Sequence, residues 1–194
     1  MEARGIHFFE TAVGLCAIAW GKGDIVGVQL PAAEAAATRV RVARRFPEAE
    51  EILAPPGVDL AVRDIIRLLA GEPRDLTRIT LDMSAVPEFH GRVYAIARTI
   101  MAGETMTYGE IARRMDDPGA ARAVGAALGQ NPFAIVVPCH RVLAANGKTG
   151  GFSASGGVVT KLRLLTIERA RTSDGPTLFD RDGGLPLIAR KKTA

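Results

Sequence analysis

The chain of 194 residues has little of what builds a disulfide framework or a metal site. Its two cysteines, Cys16 and Cys139, do not form the CxxC pair that holds zinc or exchanges disulfides. The three histidines, His7, His90 and His140, have no companion cysteine at ligand spacing. We therefore predict reduced thiols, no metal and no cofactor.

The sequence also lacks a long apolar run. No stretch approaches the roughly 20 residues that cross a bilayer. The first residues lack the order of basic, apolar and small residues that marks a secretion signal. These absences predict a cytoplasmic protein with no membrane partner.

Positive charge is concentrated in the second part of the chain. Residues 1–84 carry 10 Lys and Arg against 12 Asp and Glu, whereas residues 85–170 carry 10 against 6. The net charge of the whole chain is +4. A local excess of this sign favours an anionic partner such as nucleic acid.

The hydrophobic pattern predicts two folded regions and a tail. In residues 1–84, apolar runs flank residues 21–24 as in a β-hairpin, helices are expected over 32–45 and 58–70, and a strand is expected over 79–83. In residues 85–170, helices are expected over 89–102, 108–115, 120–130 and 161–170, with a buried strand over 133–137 and a Gly- and Ser-rich loop over 150–157. The two short helices on either side of residues 116–119 resemble a helix-turn-helix. Residues 171–194 are expected to be a flexible tail.

Cys139 is the candidate nucleophile. It follows the buried run over 133–137 and precedes His140 and Arg141. Cationic or proton-accepting neighbours favour the thiolate, which is the reactive form of cysteine. Because adjacent side chains often diverge, His140 is expected to reach the sulfur through a water. Cys16 lies in an apolar run without such neighbours and is expected to be a core residue.

The residues around Cys139 resemble the signature of the O6-alkylguanine-DNA alkyltransferases. The string extends from Asn131 through Pro138-Cys139-His140-Arg141 to Val142, and further matches lie at residues 89–94, 107–112, 121–125 and 161–168. The resemblance covers about residues 86–169. It implies an α/β (α+β) protein with a small N-terminal mixed α/β domain of ribonuclease H-like type over residues 1–84. A mostly helical catalytic domain of winged helix-turn-helix type would occupy residues 85–170.

The resemblance implies the chemistry of DNA repair by a methylated-DNA–protein-cysteine S-methyltransferase. In that family the cysteine of the Pro-Cys-His-Arg motif takes the alkyl group from guanine O6, so Cys139 would be alkylated irreversibly, once per molecule. His140 would act as the base and Glu168 would orient its imidazole. Tyr108 would donate a proton or a hydrogen bond to a ring nitrogen of the leaving guanine.

The same resemblance implies a partner, double-stranded DNA that contains O6-alkylguanine. The damaged base would be flipped out of the duplex from the minor-groove side. Arg122 would fill the vacated space, and Ala121, Ala123 and Gly125 would let their helix approach the groove closely. Phosphate contacts are expected from Arg92, Arg113, Arg114 and Lys148.

For the base pocket, the resemblance implies a contact from the Val142 carbonyl and others from the loop over 150–157. This loop departs from the commoner family pattern, since Phe152 stands in place of a tyrosine and the span is longer. Either Ser153 or Ser155 would therefore contact guanine O6.

Two further residues would support the site without taking part in the chemistry. Asn131 would tie the DNA-binding helix to the segment before Cys139, and Arg141 would hold the backbone of the motif through hydrogen bonds. We expect a monomer in solution. Cooperative binding to DNA, O4-alkylthymine as a second substrate and the preference between methyl and larger alkyl groups stay open.

Three other functions compete with alkyl transfer. A damage-recognition protein of the same fold would bind the lesion without accepting the alkyl group, but such proteins lack the cysteine that this chain has. A transcriptional regulator could use the helix-turn-helix, although the sequence has no Cys-rich sensor segment. A thiol hydrolase could use Cys139, His140 and Glu168, although a nucleophile and base adjacent in sequence would be unusual for that class.

Overall fold

The computed structural model describes residues 3–145 and 148–170. The elements of its N-terminal half are β1 (Gly5–Thr11), β2 (Gly14–Trp20), β3 (Ile25–Gln29), α1 (Ala35–Arg45), β4 (Glu50–Glu51) and α2 (Pro56–Leu69). The four strands form one sheet in the order β3-β2-β1-β4, antiparallel except that β4 runs parallel to β1. The tail predicted over residues 171–194 lies outside the residues that the structure describes.

The hairpin predicted around residues 21–24 is confirmed as β2 and β3. The structure adds β1, which pairs with β2 from Gly5 opposite Trp20 to Thr11 opposite Gly14. Residues 12 and 13 between them are Ala and Val, which carry no turn signal, so the sequence pattern gave no reason to separate two strands there. The turn instead uses Gly14, whose φ of 123° favours glycine.

The central strand β2 is buried on both faces. Cys16, Ile18 and Trp20 belong to the main hydrophobic core, whereas Ala17 and Ala19 on the other face join a second core with residues of α1. Alternation along a strand sends successive side chains to opposite faces, so the small residues lie on the side that α1 covers. The sequence expectation that Cys16 is a core residue is thus confirmed, and burial raises the pKa of its thiol to about 12.

The C-terminal half is mostly helical. Its elements are α3 (Glu88–Ala97), β5 (Met106–Thr107), α4 (Tyr108–Arg114), α5 (Ala121–Gly129), β6 (Val142–Leu143) and α6 (Val158–Ile167), with 3-10 turns at Pro118–Ala120 and Cys139–Arg141. The two short predicted helices are α4 and α5, which pack against each other across the first 3-10 turn. The short strands β5 and β6 pair in parallel. The mixed α/β character expected from the sequence is confirmed.

The strand predicted over residues 133–137 is wrong. The segment is a tight turn in which the Val137 amide donates to the Phe133 carbonyl at 2.8 Å, and Ile135 has a positive φ of 72°. A short buried apolar run has the same composition whether it extends or folds back, so the pattern alone could not separate the two. The strand predicted over 79–83 is likewise reduced to one bridge between Leu81 and Ile25.

The two halves share one hydrophobic core. Its buried residues include Ile18 and Ile65 from the N-terminal half and Tyr94, Val124 and Leu164 from the C-terminal half. The domain boundary near residue 84 stays a prediction.

Among the described residues, none of the helices combines the length and the apolar character that a membrane span requires.

The start of α4 is held by a capping box between Thr107 and Glu110. The Glu110 amide donates to the Thr107 hydroxyl at 3.2 Å, and the Thr107 amide donates to the Glu110 carboxylate at 2.6 Å. Because α4 begins at Tyr108, this box sets the position of a residue in the candidate site described below.

We expect Thr107→Ala to lower the free energy of unfolding by about 1 kcal/mol, since it leaves an amide at the helix N-terminus without its side-chain acceptor. Urea denaturation measures the change. Thr107→Ser is the matched control, because it keeps the hydroxyl and is expected to lose only a few tenths of that amount. Equal losses in the two variants would show that the cap does not stabilise the fold.

Candidate functional site

A cavity of about 400 Å³ lies beside Cys139. It is lined by Tyr108, Gly125, Leu128, Gly129, Cys139, Gly151, Phe152 and Ser153. These residues come from the start of α4, from α5, from the 3-10 turn at Cys139–Arg141 and from the loop over 150–157. The volume lies within the range of pockets that hold small organic ligands, about 300–1,000 Å³.

Cys139 is half-buried at the start of its 3-10 turn. Burial raises the pKa of its thiol, against the opposing effects of a hydrogen bond from Asn131 and the charge of Lys161. The predicted effect of the sequence neighbours, which was to favour the thiolate, is therefore outweighed by burial. Arg141, one of the two neighbours, directs its guanidinium to Glu168. The sulfur is protonated at rest and needs a base.

His140 and Glu168 form a buried pair. The imidazole Nε2 lies 3.0 Å from Glu168 Oε1, with the two side chains 1% and 4% exposed. Burial alone would raise the pKa of Glu168, but hydrogen bonds and charges from His140 and Arg141 outweigh it and hold that pKa at about 2. The carboxylate is thus ionised and can only accept hydrogen bonds.

This pair determines which imidazole nitrogen is free. Burial lowers the pKa of His140, so the ring is neutral near pH 7 and its single proton lies on Nε2, facing the Glu168 carboxylate. Nδ1 is then an acceptor. It is buried and has no hydrogen-bond partner among the described protein atoms. A neutral imidazole with a free acceptor nitrogen is the form that a general base requires.

Arg141 binds the same carboxylate. Its Nε donates to Glu168 Oε2 at 2.8 Å and its Nη2 to Oε1 at 2.7 Å, and its Nη1 donates to the Ile100 carbonyl. From the sequence, Arg141 was expected to hold the backbone of its own motif. Within the described part of the chain, its hydrogen bonds go to Glu168 and Ile100 instead. The guanidinium thereby keeps the buried carboxylate charged and in place.

Asn131 links the end of α5 to the segment before Cys139, as expected. Its amide nitrogen donates to the Val137 carbonyl at 2.8 Å, and its side-chain oxygen accepts from the Phe133 amide at 2.9 Å. Its hydrogen bond to the Cys139 side chain acts to lower the pKa of the thiol. One side chain therefore spans the tight turn and reaches the sulfur.

Lys161 is a residue of the site to which the sequence analysis gave no role. It is fully buried in α6, and its Nζ donates to the Val142 carbonyl at 2.6 Å and to the Gly151 carbonyl at 3.4 Å. Burial lowers the pKa of Lys161 to about 8, against the opposing effect of Cys139. A signal was present, since Lys161, Leu164 and Glu168 follow one another at helical spacing and so share a face.

Tyr108 lines the cavity from the first turn of α4. Burial raises the pKa of its hydroxyl, and the nearby Cys139 acts in the same direction, so the phenol stays protonated and can donate. Lys161 Nζ lies 5.8 Å from the centre of its ring. Gly150, at a φ of 67°, passes so close that a Cβ there would lie 3.1 Å from the Tyr108 hydroxyl oxygen.

The loop over 150–157 contributes unequally to the cavity. Phe152 and Ser153 line it, whereas Ser155 is not among its described lining residues and its carbonyl accepts from the Thr160 hydroxyl at 2.6 Å. Of the two serines that the sequence left open, the geometry favours Ser153. The Val142 carbonyl, the other predicted base contact, accepts from Lys161 and retains a second lone pair.

Helix α5 presents small residues outward beside the cavity. Arg122 and Ala123 are exposed, while Ala121 is half-buried and packs against the main core. Gly125 lies against Tyr108, since a Cβ there would be 3.8 Å from its ring. The surface of α5 next to the cavity therefore carries small side chains and one long cationic side chain, Arg122, near the start of the helix.

The four basic residues expected to contact phosphate differ in the hydrogen bonds that they already make. Arg92 donates to the Met115 carbonyl at 2.9 Å, and Arg113 donates through Nε to the Gly109 carbonyl at 3.3 Å. Both residues are exposed, as are Arg114 and Lys148. All four side chains are thus accessible, although Arg92 and Arg113 each donate to a backbone carbonyl.

Comparison with known proteins places these features in context. The family model described as 6-O-methylguanine DNA methyltransferase, DNA binding domain, matches residues 88–170. A methylated-DNA–protein-cysteine methyltransferase of Mycolicibacterium paratuberculosis is 48% identical over 120 residues, which are 62% of this chain and 70% of that protein. One from Methanosarcina acetivorans is 36% identical over 163 residues, covering 82% of this chain and 95% of that protein. The crystal structure of Mycobacterium tuberculosis OGT in complex with DNA matches with a TM-score of 0.68 and 32% identity, covering 85% of this chain and 92% of that one.

The buried Glu168 predicts a specific loss of stability in acid. Its pKa of about 2 lies below the ordinary value of 4.5, so its ionised form stabilises the fold above pH 4.5 and this contribution is lost as the pH falls through 2. We expect this group to account for a fall of about 3 kcal/mol in the free energy of unfolding over that interval. Urea denaturation at stepped pH measures it.

Glu168→Gln is the control, because an amide does not titrate. We expect this variant to be less stable than the parent at pH 7, since Arg141 loses its counter-charge. Its stability should then change less between pH 4.5 and 2. The same slope in both proteins would show that Glu168 is not the titrating group.

Proposed function

Because the chain belongs to the O6-methylguanine DNA methyltransferase family, we propose that it repairs double-stranded DNA by moving the alkyl group of O6-alkylguanine onto Cys139. The observation that carries the proposal is the position of the thiol. Cys139 lines the cavity of about 400 Å³ between the small-residue helix α5 and the loop over 150–157, and the next residue, His140, forms the buried pair with Glu168. Residues 85–170 would form the DNA-binding and catalytic unit, with residues 1–84 supporting it.

The transfer begins with activation of a thiol that burial keeps protonated. The free Nδ1 of His140 takes the proton of Cys139 through a bridging water, and Glu168 stabilises the imidazolium that results. The sulfur attacks the alkyl carbon, so that a carbon–sulfur bond forms as the bond between that carbon and guanine O6 breaks. The electron pair of the broken bond passes into the guanine.

The leaving guanine gains negative charge as the bond breaks, and Tyr108 is placed to neutralise it. Its hydroxyl remains protonated because burial raises its pKa, and it lines the same cavity as the sulfur. It donates a proton or a hydrogen bond to a ring nitrogen of the base. Donors aimed at developing charge typically accelerate a reaction by about 100- to 1,000-fold.

Lys161 would stabilise the Cys139 thiolate, the other charged species that forms in the reaction. Its ammonium is buried near the sulfur and lowers the pKa of Cys139 against the effect of burial. A fixed positive charge in a site of low dielectric favours the thiolate as it forms. The same side chain holds the carbonyls of Val142 and Gly151, and so shapes the base pocket.

The product explains why each molecule would act once. Alkylation converts Cys139 into a thioether, in which the sulfur no longer carries an exchangeable proton for His140 to remove. Breaking the new carbon–sulfur bond would require expulsion of a thiolate from saturated carbon, and the described lining residues include no second thiol to take the alkyl group. The protein would therefore be consumed in stoichiometric amounts.

Access to the lesion requires the base to leave the helix stack. Because guanine O6 is paired inside a duplex, the nucleotide must be flipped into the cavity that holds Cys139. The exposed face of α5 offers Ala123 for close approach to the minor groove and Arg122 to fill the gap left by the base. Binding would depend mainly on phosphate contacts from Arg92, Arg113, Arg114 and Lys148.

The direct test is intact-mass spectrometry after incubation with a duplex oligonucleotide that carries one O6-methylguanine. We expect the protein to gain the mass of one methyl group per molecule, and peptide mapping to place it on Cys139. Cys16 serves as an internal control, because burial raises its pKa to about 12 and should leave it unmodified.

Cys139→Ala is the matched variant, and it should bind the same duplex without gaining mass. Tight binding by the unmodified chain with no change in mass would contradict alkyl transfer and favour a damage-recognition protein. Repeated turnover of excess duplex would contradict the single-use mechanism.

A second experiment separates base flipping from chemistry. We expect Arg122→Ala to slow methyl transfer from duplex DNA by about 10- to 100-fold, since flipping costs a few kcal/mol and each 1.4 kcal/mol is a factor of ten. Transfer from a single-stranded oligonucleotide should slow by less than about three-fold, because there is no partner strand to hold the base. Arg114→Ala is the control for loss of one exposed charge, and similar slowing of both substrates by Arg122→Ala would reject the flipping role.

A further inference from the structure

The turn over residues 131–137 is held in a conformation that its own sequence does not favour. Ile135 has a φ of 72°, a region in which a β-branched side chain crowds the backbone. Such strained residues persist where the surrounding structure holds them. Because Cys139 follows the turn after only Pro138, whatever holds the turn also positions the sulfur.

Part of that support comes from the N-terminal half of the chain. The Val28 amide at the edge strand β3 donates to the Pro132 carbonyl at 3.0 Å, and Val28 forms a bridge with Phe133. Arg45, the last residue of α1, donates from Nη2 to the same Pro132 carbonyl, also at 3.0 Å. One carbonyl of the turn therefore accepts hydrogen bonds from two elements that lie about a hundred residues earlier in the sequence.

The sequence around Arg45 is arranged to admit this contact. The Arg45 guanidinium lies 4.8 Å from the centre of the Phe46 ring. Position 27 in β3 is glycine, and a Cβ there would lie 2.6 Å from Phe46 Cζ and 2.9 Å from Arg45 Nη2. Any larger residue at position 27 would displace both side chains.

Asn131 connects Pro132 to Cys139. Asn131 precedes Pro132, and its amide donates to the Val137 carbonyl across the turn and hydrogen-bonds the Cys139 side chain. A shift of the Pro132 carbonyl would move Asn131 and lengthen its bond to the sulfur. The N-terminal half is thus linked to the thiol by hydrogen bonds to the Pro132 carbonyl, by the backbone from Pro132 to Asn131, and by the Asn131 side chain.

We propose that Arg45 is a positioning residue for alkyl transfer, which holds the turn over 131–137 so that Asn131 and Cys139 keep their reactive geometry. The proposal rests on the proposed function only for the identity of the electrophile. It gives the N-terminal half a direct part in the reactivity of Cys139, in addition to its share of the common core.

Arg45→Met tests the proposal, because it keeps the length and apolar stem of the side chain and removes its donors. We expect methyl transfer from an O6-methylguanine duplex to slow by about ten-fold, while the Kd for undamaged duplex changes by less than two-fold. Arg45→Lys should recover part of the rate, since the ammonium can still donate to the Pro132 carbonyl. All rates are measured at a temperature well below the unfolding transition of each variant.

Alkylation of Cys139 by iodoacetamide, followed against pH by peptide mapping, provides a readout that needs no DNA. We expect the profile of Arg45→Met to move to higher pH, because the hydrogen bond from Asn131 that opposes the raised pKa of the thiol is weakened. Arg39→Met is the matched control. Arg39 also lies on α1 and over an aromatic ring, Phe8, but its ion pair is with Glu51 on the surface.

The outcomes separate the two proposals. An unchanged iodoacetamide profile and an unchanged transfer rate in Arg45→Met would overturn the positioning role even if the variant melts earlier. A parallel loss of transfer and of binding to undamaged DNA would overturn it in favour of a DNA contact. If the parent chain itself transfers no methyl group, alkyl transfer fails, and the iodoacetamide profiles still decide the role of Arg45.

Discussion

The site depends on one buried carboxylate. A charged group in the interior is costly unless it is paired and hydrogen-bonded, and Glu168 meets both conditions through Arg141 and His140. The same ion pair joins α6 to the 3-10 turn that carries Cys139, and Arg141 extends it to the Ile100 carbonyl. The carboxylate therefore determines the tautomer of the imidazole and, at the same time, helps to fix the turn that carries Cys139.

The charge balance around Cys139 favours a thiol at rest and a thiolate only during reaction. Burial raises the pKa of the thiol, and Lys161 and Asn131 offset only part of that effect. A thiol whose pKa is raised reacts slowly with oxidants and with small electrophiles. The proposed function would consume the protein by a single alkylation. The protonated resting state would then protect Cys139 until the damaged nucleobase is bound beside it.

The N-terminal half is more than a separate support. Its sheet shares a hydrophobic core with the C-terminal helices, and the edge of β3 and the end of α1 contact the turn before Cys139. In addition, Arg163 of α6 donates to the Ala12 carbonyl, in the turn between β1 and β2, at 2.6 Å. The segment before Cys139 and the helix α6 that precedes Glu168 are thus both hydrogen-bonded to the N-terminal half.

The sequence by itself determined the features that local pattern or a short motif can specify. The hairpin of β2 and β3 follows from turn residues, and the helices α1 to α6 follow from helical spacing, with ends that differ from the predicted ones by up to five residues, as in α3. The motif around Cys139 was sufficient to identify the family and the candidate residues, because it is contiguous in the chain.

Only the tertiary structure decided what depends on burial and on contacts between distant residues. The apolar run over 133–137 became a turn because β3, Arg45 and Asn131 hold it there, and none of these contacts is visible in the run itself. Arg141 pairs with a carboxylate 27 positions away, and the direction of the Cys139 pKa follows from its burial, not from its basic neighbours in sequence. Hydrophobic periodicity shows which residues are inside, but desolvation and partner choice arise only when the elements pack.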